Sequence, residues 1–113
     1  MSQAIYYVNK NRINESDIPK QAIAIGTTEN IDKQSLLIGL AKAGNFPDYF
    51  APNWDALWDC LTDSDLCYLS LDLTQSKSIN PEDFNTFKTI IEEAYRDFGK
   101  PQLWIVVANQ EAK

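Results

Sequence analysis

The chain has 113 residues, of which 44% are hydrophobic and 12% are aromatic. It is long enough to bury a core without disulfide or metal support, which excludes a disordered chain. The formal net charge of −6 at pH 7 disfavours binding to nucleic acid or to a membrane surface and favours basic protein partners. No apolar run approaches the roughly 18–20 residues of a membrane span, and the N-terminus lacks a secretory pattern. We therefore predict a cytoplasmic protein.

The first 20 residues are weakly marked, and we treat residues 1–20 as an N-terminal extension of a domain that spans 21–110. Within the extension, AIYYV at 4–8 is compatible with an additional edge strand or with a loosely packed leader. Both alternatives stay open. The polar stretch that ends at Pro19 is typical of a linker or loop.

A strand and a helix follow. AIAIG at 22–26 predicts a short strand, and Asp32 predicts the N-cap of a helix, with Ile31 and Leu36 at the two positions of a hydrophobic staple. Gly44 is placed to end this helix. Its apolar face consists of three leucines: Leu36, Leu37 and Leu40.

A second helix is predicted to begin after Asn53, behind a proline-punctuated loop at 46–52 that carries exposed aromatics. At 100° per residue, its residues divide into two neighbouring faces. The predicted core face contains Trp54, Leu57, Trp58 and Leu61. The adjacent face contains Asp55, Asp59 and Thr62.

The second half of the chain predicts a strand, a helix and a strand. LCYLSLDL at 66–73 favours a buried strand, and Asn80 favours an N-cap followed by proline. The apolar face of the long third helix would contain Phe84, Phe87, Ile91, Tyr95 and Phe98. Gly99 would end that helix, and LWIVVA at 103–108 is typical of a strand buried on both faces. The order β-α-α-β-α-β predicts an α/β fold with a small parallel sheet.

Several kinds of chemistry are not indicated. The chain has no histidine, which removes the usual general base and the commonest metal ligand. Cys60 and Cys67 lack zinc-site spacing and are expected to behave as small buried hydrophobes. We predict no catalytic residue, no metal and no cofactor. A small metal-dependent enzyme that uses Asp55, Asp59 and a distant acid is kept as an alternative.

The acidic face of the second helix requires an explanation. Asp55 and Asp59 lie one turn apart and would repel each other by a few tenths of a kcal/mol. No Lys or Arg occurs between Lys42 and Lys77. The helix dipole explains Asp55, but Asp59 lies beyond the first turn. Two carboxylates beside an aromatic loop suit a cationic cleft, such as one in which a ribonuclease binds phosphates.

At these residues the sequence resembles the barstar family of intracellular ribonuclease inhibitors. The stretch FPDYFAPNWDALWDCLTD is similar to the family's loop and second helix, and DALWDCLT matches residue for residue. Similarity of pattern extends from about Ala22 to Ala108. The resemblance implies a two-layer α/β fold with a three-stranded parallel sheet. It also implies a protein that blocks a ribonuclease active site without catalysis, with acids in phosphate positions.

The resemblance implies the following partner-binding residues: Tyr49, Asn53, Asp55, Trp58, Asp59, Thr62, Glu93 and Asp97. Asp59 would sit deepest in the cleft with Asp55 in support, and Tyr49 would stack on catalytic groups. Glu93 and Asp97 would add peripheral charge. Trp58 is compatible with contact or with the core.

The implied partner is a basic ribonuclease or an RNA-cleaving toxin in a bacterium, and the free inhibitor would be a monomer. Asp63-Ser64 stands where the family often has Gly-Trp, so the target stays open. The alternative is a barstar-fold module that binds a basic protein other than a ribonuclease.

Overall fold

A computed structural model describes residues 3–10, 18–26, 29–46 and 53–107. Within these ranges the strands are β1 (Ile5–Asn9), β2 (Ile23–Ala24), β3 (Asn30–Ile31), β4 (Tyr68–Asp72), β5 (Ser78–Ile79) and β6 (Gln102–Val107). The helices are α1 (Lys33–Gly44), α2 (Trp54–Asp63) and α3 (Pro81–Phe98). This arrangement confirms the predicted α/β class.

The main sheet has four parallel strands in the order β1-β6-β4-β2. The three strands implied by the resemblance are therefore joined by a fourth, because β1 pairs with β6 from Ile5 opposite Leu103 to Asn9 opposite Val107. The edge-strand alternative for AIYYV is thus the correct one. A separate two-stranded sheet of β3 and β5, which was not predicted, lies where α1 and α3 begin.

Each helix begins at the N-cap that the sequence predicts. The side chains of Asp32, Asn53 and Asn80 each accept a hydrogen bond from a backbone N–H in the first turn of their helix. Such caps stabilise a helix by about 1 kcal/mol because they satisfy donors that have no partner inside it. Asp32 also forms a capping box with Ser35, which receives the Asp32 N–H.

One core joins all three helices to one face of the main sheet. Its fully buried members include these residues: Leu36, Leu37, Leu40, Leu57, Leu61, Leu69, Leu71, Phe87, Ile91, Leu103 and Ile105. The alternation along β6 directs Leu103 and Ile105 toward this core and Trp104 toward the other face, where it stacks on Tyr6 at 4.9 Å. Both faces of β6 are buried, as predicted.

The ends of α1 and α3 differ from the prediction in detail. Gly44 is the last residue of α1, and Asn45 takes the left-handed conformation at the C-cap. Gly44 is needed for space, because a Cβ there would collide with the ring of Phe46. Gly99 ends α3 in the left-handed conformation, as expected. Phe98, which the periodicity assigned to the apolar face, is 54% exposed.

Candidate partner-binding site

Helix α2 is held in place by the face that packs against the hydrophobic core. Leu57 and Leu61 are fully buried in the core, and Trp54 and Trp58 pack against it while remaining half-buried. Complete burial of one such leucine side chain contributes about 1.5–3 kcal/mol. The predicted core face is therefore confirmed for the two leucines and partly for the two tryptophans. Because this face is fixed, the remaining faces of α2 are presented in a defined orientation.

Asp55 and Asp59 are exposed on α2. They lie four residues apart, which places them on the same side of the helix about 6 Å apart along its axis. No ion pair to either carboxylate is found among the described residues. Asp55 lies in the first turn, where the helix dipole favours a negative charge. Asp59 lies beyond that turn.

The two polar residues predicted as contacts also have structural roles in α2. The side-chain oxygen of Asn53 accepts the Ala56 N–H at 2.7 Å as the N-cap. Thr62 donates its hydroxyl to the Trp58 carbonyl oxygen at 2.8 Å. Asn53 is exposed and Thr62 is half-buried, so each retains hydrogen-bonding capacity toward a partner.

An open groove of about 700 Å³ runs beside α2. Its walls come from the end of α1, one side of α2 and the last residue of α3. The lining residues are Gly44, Asn45, Phe46, Asp59, Cys60, Thr62, Asp63, Ser64 and Phe98. Among the predicted site residues, Asp59 and Thr62 are therefore brought together in the groove. Asp55 and Trp58 lie elsewhere on α2, Asn53 is its N-cap, and Glu93 and Asp97 lie on α3.

The acids of α3 stand in a different electrostatic setting. Glu93 and Asp97 are both exposed, but Arg96 lies between them in sequence and bonds Asp97, with 3.0 Å between Nε and Oδ1. The hydrogen bond and charge of Asp97, with a further contribution from Glu93, raise the pKa of Arg96. Part of the predicted peripheral charge is thus neutralised within the protein.

Phe98 is a feature of this surface that the sequence interpretation missed. Its ring lies 6.2 Å from that of Trp58, tilted by 60°, and it lines the groove together with Asp59. The signal for its exposure is its position as the final residue of α3, immediately before Gly99. A periodic pattern indicates which side of a helix is apolar but not where the core stops along the axis.

The cysteines do not share one environment. Cys60 is half-buried and lines the groove, whereas Cys67 is exposed, so the prediction of burial is wrong for Cys67. Burial raises the pKa of the Cys60 thiol, and the negative charges of Asp59 and Asp63 raise it further. The pKa of this thiol is therefore sensitive to the negative charge on α2.

Lys100 fixes the far end of α2. Its ammonium group donates to the Ser64 carbonyl oxygen at 2.7 Å and lies 3.9 Å from the carboxylate of Asp65. A cation at this position is favoured by the helix dipole. Lys100 thus secures the end of the helix without pairing with Asp59.

Tyr49 lies outside the described residues, so its predicted role stays a prediction. Within the described part of the chain, no group of three or more His, Cys, Asp or Glu is arranged to hold a metal ion. In the same part of the chain, no helix has the length and apolar character needed to cross a membrane.

The fold and the site define a small α/β protein that presents a rigidly held acidic helix next to exposed aromatic surface. A family model described as Barstar (barnase inhibitor) matches residues 21–108, and the chain belongs to this family. The match begins after β1, so the strand at the sheet edge lies outside the matched region. Comparisons with curated proteins and with solved structures gave no significant match.

Proposed function

We propose that this protein inhibits a ribonuclease by occupying its active site in a one-to-one complex, in which Asp59 takes the position of an RNA phosphate. The observation that carries the proposal is the setting of Asp59. It is exposed at an open groove and forms no ion pair within the described residues, on a helix whose other face is buried. The family, described as barnase inhibitors, supports a ribonuclease as the partner.

The chemistry of the two surfaces is complementary. A ribonuclease must hold phosphates with cationic and hydrogen-bonding groups, and a carboxylate with free oxygens can accept the same hydrogen bonds. The rigidity of α2 adds to this fit, because less conformational freedom is lost when the complex forms. Binding needs no catalytic group on the inhibitor, in keeping with a family of inhibitors.

The other predicted contacts take secondary roles in this proposal. Asp55 supports Asp59 from one turn earlier, and Asn53 and Thr62 offer polar contacts at the two ends of α2. Trp58 contributes the exposed part of its ring. Glu93 and Asp97 supply peripheral charge, and Tyr49 stacks on the enzyme. We further propose that the inhibitor is a cytoplasmic, bacterial monomer that protects its cell from a ribonuclease or an RNA-cleaving toxin.

The test is RNA cleavage by a barnase-type ribonuclease, titrated with the wild type, with Asp59→Ala and with Glu92→Ala. Glu92 is an exposed acid of α3, and its replacement by alanine removes one negative charge, as Asp59→Ala does, but from a different part of the surface. We expect the wild type and Glu92→Ala to abolish cleavage near one equivalent, and Asp59→Ala to require a large excess. Inhibition by Asp59→Ala as tight as that of the wild type would contradict the role of Asp59.

A wild type that leaves cleavage unchanged would contradict the inhibitor proposal for that enzyme class. It would favour the alternative of a barstar-fold module with another basic target. Circular dichroism of each variant is the necessary control, since a substitution that unfolds α2 would abolish binding for an unrelated reason.

A further inference from the structure

One edge of the main sheet is formed by β1, which lies outside the region that the family model matches. Ala4, just before the strand, accepts the Leu103 N–H of β6 through its carbonyl oxygen. Main-chain groups point to alternate sides along a strand, so those of Ile5 and Tyr7 face away from β6. The Gln3 side chain donates to the Ile5 carbonyl oxygen at 2.8 Å. Within the described part of the chain, the N–H and C=O of Tyr7 have no hydrogen-bond partner.

Such an edge is a template for another strand, because unpaired N–H and C=O groups can continue the ladder. It is also the longer of the two edges, since β1 has five residues and β2 has two. A second copy of the chain matches it by symmetry. Antiparallel pairing centred on Tyr7 would place Tyr7 of the two copies opposite each other and Ile5 opposite Asn9. The Tyr7 side chain, which is 56% exposed, would be covered by this contact.

A cation stands at the same edge. The ammonium group of Lys88 on α3 donates to the Tyr7 hydroxyl at 3.0 Å and lies 5.7 Å from the centre of that ring. It also lies 4.7 Å from the centre of the Phe84 ring. The faces of both rings attract a cation, which holds the ammonium group beside β1. Within the described residues Lys88 forms no ion pair, although Glu92 is one turn away on α3.

This position of Lys88 opposes the symmetric pairing. Side chains of directly opposed residues in an antiparallel pair begin about 5 Å apart, so pairing at Tyr7 would bring the two Lys88 ammonium groups toward each other. Each of them would lose water without gaining a carboxylate, and like charges placed together at an interface are strongly disfavoured.

We infer that the outer edge of β1 is a self-association surface for a second copy of this chain, and that the charge of Lys88 keeps it unoccupied. Charged side chains, lysine above all, are a common protection of sheet edges. The inference goes beyond the proposed function and does not depend on it, because neither Tyr7 nor Lys88 is among the residues proposed to contact a ribonuclease.

The experiment is analytical ultracentrifugation of the full chain under reducing conditions, over a concentration series that reaches several hundred micromolar. Lys88→Met keeps the aliphatic stem beside the Phe84 ring and removes the charge. We expect the wild type to sediment as a 12.8 kDa monomer and Lys88→Met to approach twice that mass. Its dimer dissociation constant should be at least about tenfold below that of the wild type. Lys88→Gln, a second neutral variant, should also associate.

Two variants serve as matched controls. Lys88→Arg keeps the positive charge at the same position and should remain a monomer. Lys77→Met removes the same charge from a different place, where Lys77 pairs with Glu29, and should also remain a monomer. Circular dichroism checks that each variant is folded. Amide hydrogen exchange then locates the contact, because the Tyr7 N–H should become protected in Lys88→Met as its concentration rises.

The inference is overturned if both neutral variants at position 88 are folded and stay monomeric, a result that would leave an acidic strand of another protein as the occupant to test. It is equally overturned if the wild type is already a dimer or if Lys77→Met associates as strongly as Lys88→Met. A dimer of Lys88→Met in which the Tyr7 N–H stays unprotected would contradict the location of the surface.

Discussion

The two acidic regions of this surface differ in what surrounds their charges. On α2, Asp55 and Asp59 are exposed, and neither forms an ion pair with a lysine or arginine among the described residues. On α3, Arg96 lies between Glu93 and Asp97 and bonds Asp97 directly. The first region presents its charge to an approaching partner, whereas the second is partly neutralised before any partner arrives.

This difference indicates how the two regions would contribute to binding. A carboxylate with no partner in the free protein loses no internal ion pair when it meets a cation of another protein. Asp97 must first share or give up Arg96, and exposed ion pairs contribute little in either state. We therefore expect α2 to determine the lifetime of the complex and α3 to act mainly on the rate of encounter.

Asp59→Ala should have the largest effect on binding. Truncation of one partner in a buried interfacial charge pair costs about 2–5 kcal/mol, a general range that draws in part on complexes of barnase with barstar. Asp97→Ala should cost less than about 1 kcal/mol, because that carboxylate is exposed and already paired. Surface plasmon resonance with an immobilised barnase-type ribonuclease would resolve the effect of Asp59→Ala mainly as faster dissociation.

The comparison between the helices would fail if Asp97→Ala dissociated as fast as Asp59→Ala. Equal effects would mean that Arg96 does not reduce the contribution of the α3 acids. Thermal unfolding of both variants should match the wild type closely, because both side chains are exposed and neither is an N-cap.

The N-cap of α2 gives the second prediction. Asn53→Ala should lower the free energy of unfolding by about 1 kcal/mol, because the Ala56 N–H loses its acceptor. Asn53→Ser should retain most of the stability, since serine also caps well. Urea denaturation measures both values, and amide hydrogen exchange at Ala56 locates the change. Asn80→Ala offers the same test on α3, which has 18 residues instead of 10.

An Asn53→Ala variant as stable as the wild type would mean that solvent replaces the cap without cost. If stability fell but inhibition did not, the role of Asn53 would be limited to the helix start. If inhibition also fell in Asn53→Ser, a direct contact of the amide with the partner would be favoured.

The parts of the fold that depend on local signals could be predicted from the sequence. Three N-caps were located correctly because Asp or Asn before an amphipathic stretch acts within one turn. The strand count could not be obtained in the same way, since β1 pairs with β6 almost the whole chain length away. The pairs of residues in β3 and β5 are too short to show any alternation.

The same distinction between local signals and long-range packing applies to the candidate site. The common side of Asp55 and Asp59 follows from helix geometry alone. The exposure of Phe98 depends on where the core ends, and the groove depends on how α1, α2 and α3 pack together. The bond between Arg96 and Asp97 could not be predicted from the helical faces either. Adjacent residues point to different sides of a helix, and they meet only when a long side chain such as that of arginine bends back toward its neighbour.

The third prediction concerns the rate of association. Arg96→Gln should increase the association rate constant with a basic ribonuclease by about twofold at low salt, because it removes a positive charge and releases Asp97. The increase should disappear as added salt screens the field. Lys77→Gln is the control, since it removes a positive charge that is paired with Glu29 near the start of β5. An equal increase in both variants would attribute the effect to net charge alone.

The prediction with the smallest expected effect concerns the negative charge on α2 in the free protein. The thiolate of Cys60 is the reactive form, and burial together with Asp59 and Asp63 raises the pKa of its thiol, so less thiolate is present at pH 8. In a Cys67→Ser background, Asp59→Asn should therefore speed alkylation of Cys60 by iodoacetamide, by about twofold. Asp97→Asn should leave the rate unchanged, because Asp97 is not among the groups that affect this thiol. The two acidic regions would be electrostatically equivalent at this site if both substitutions accelerated the reaction equally.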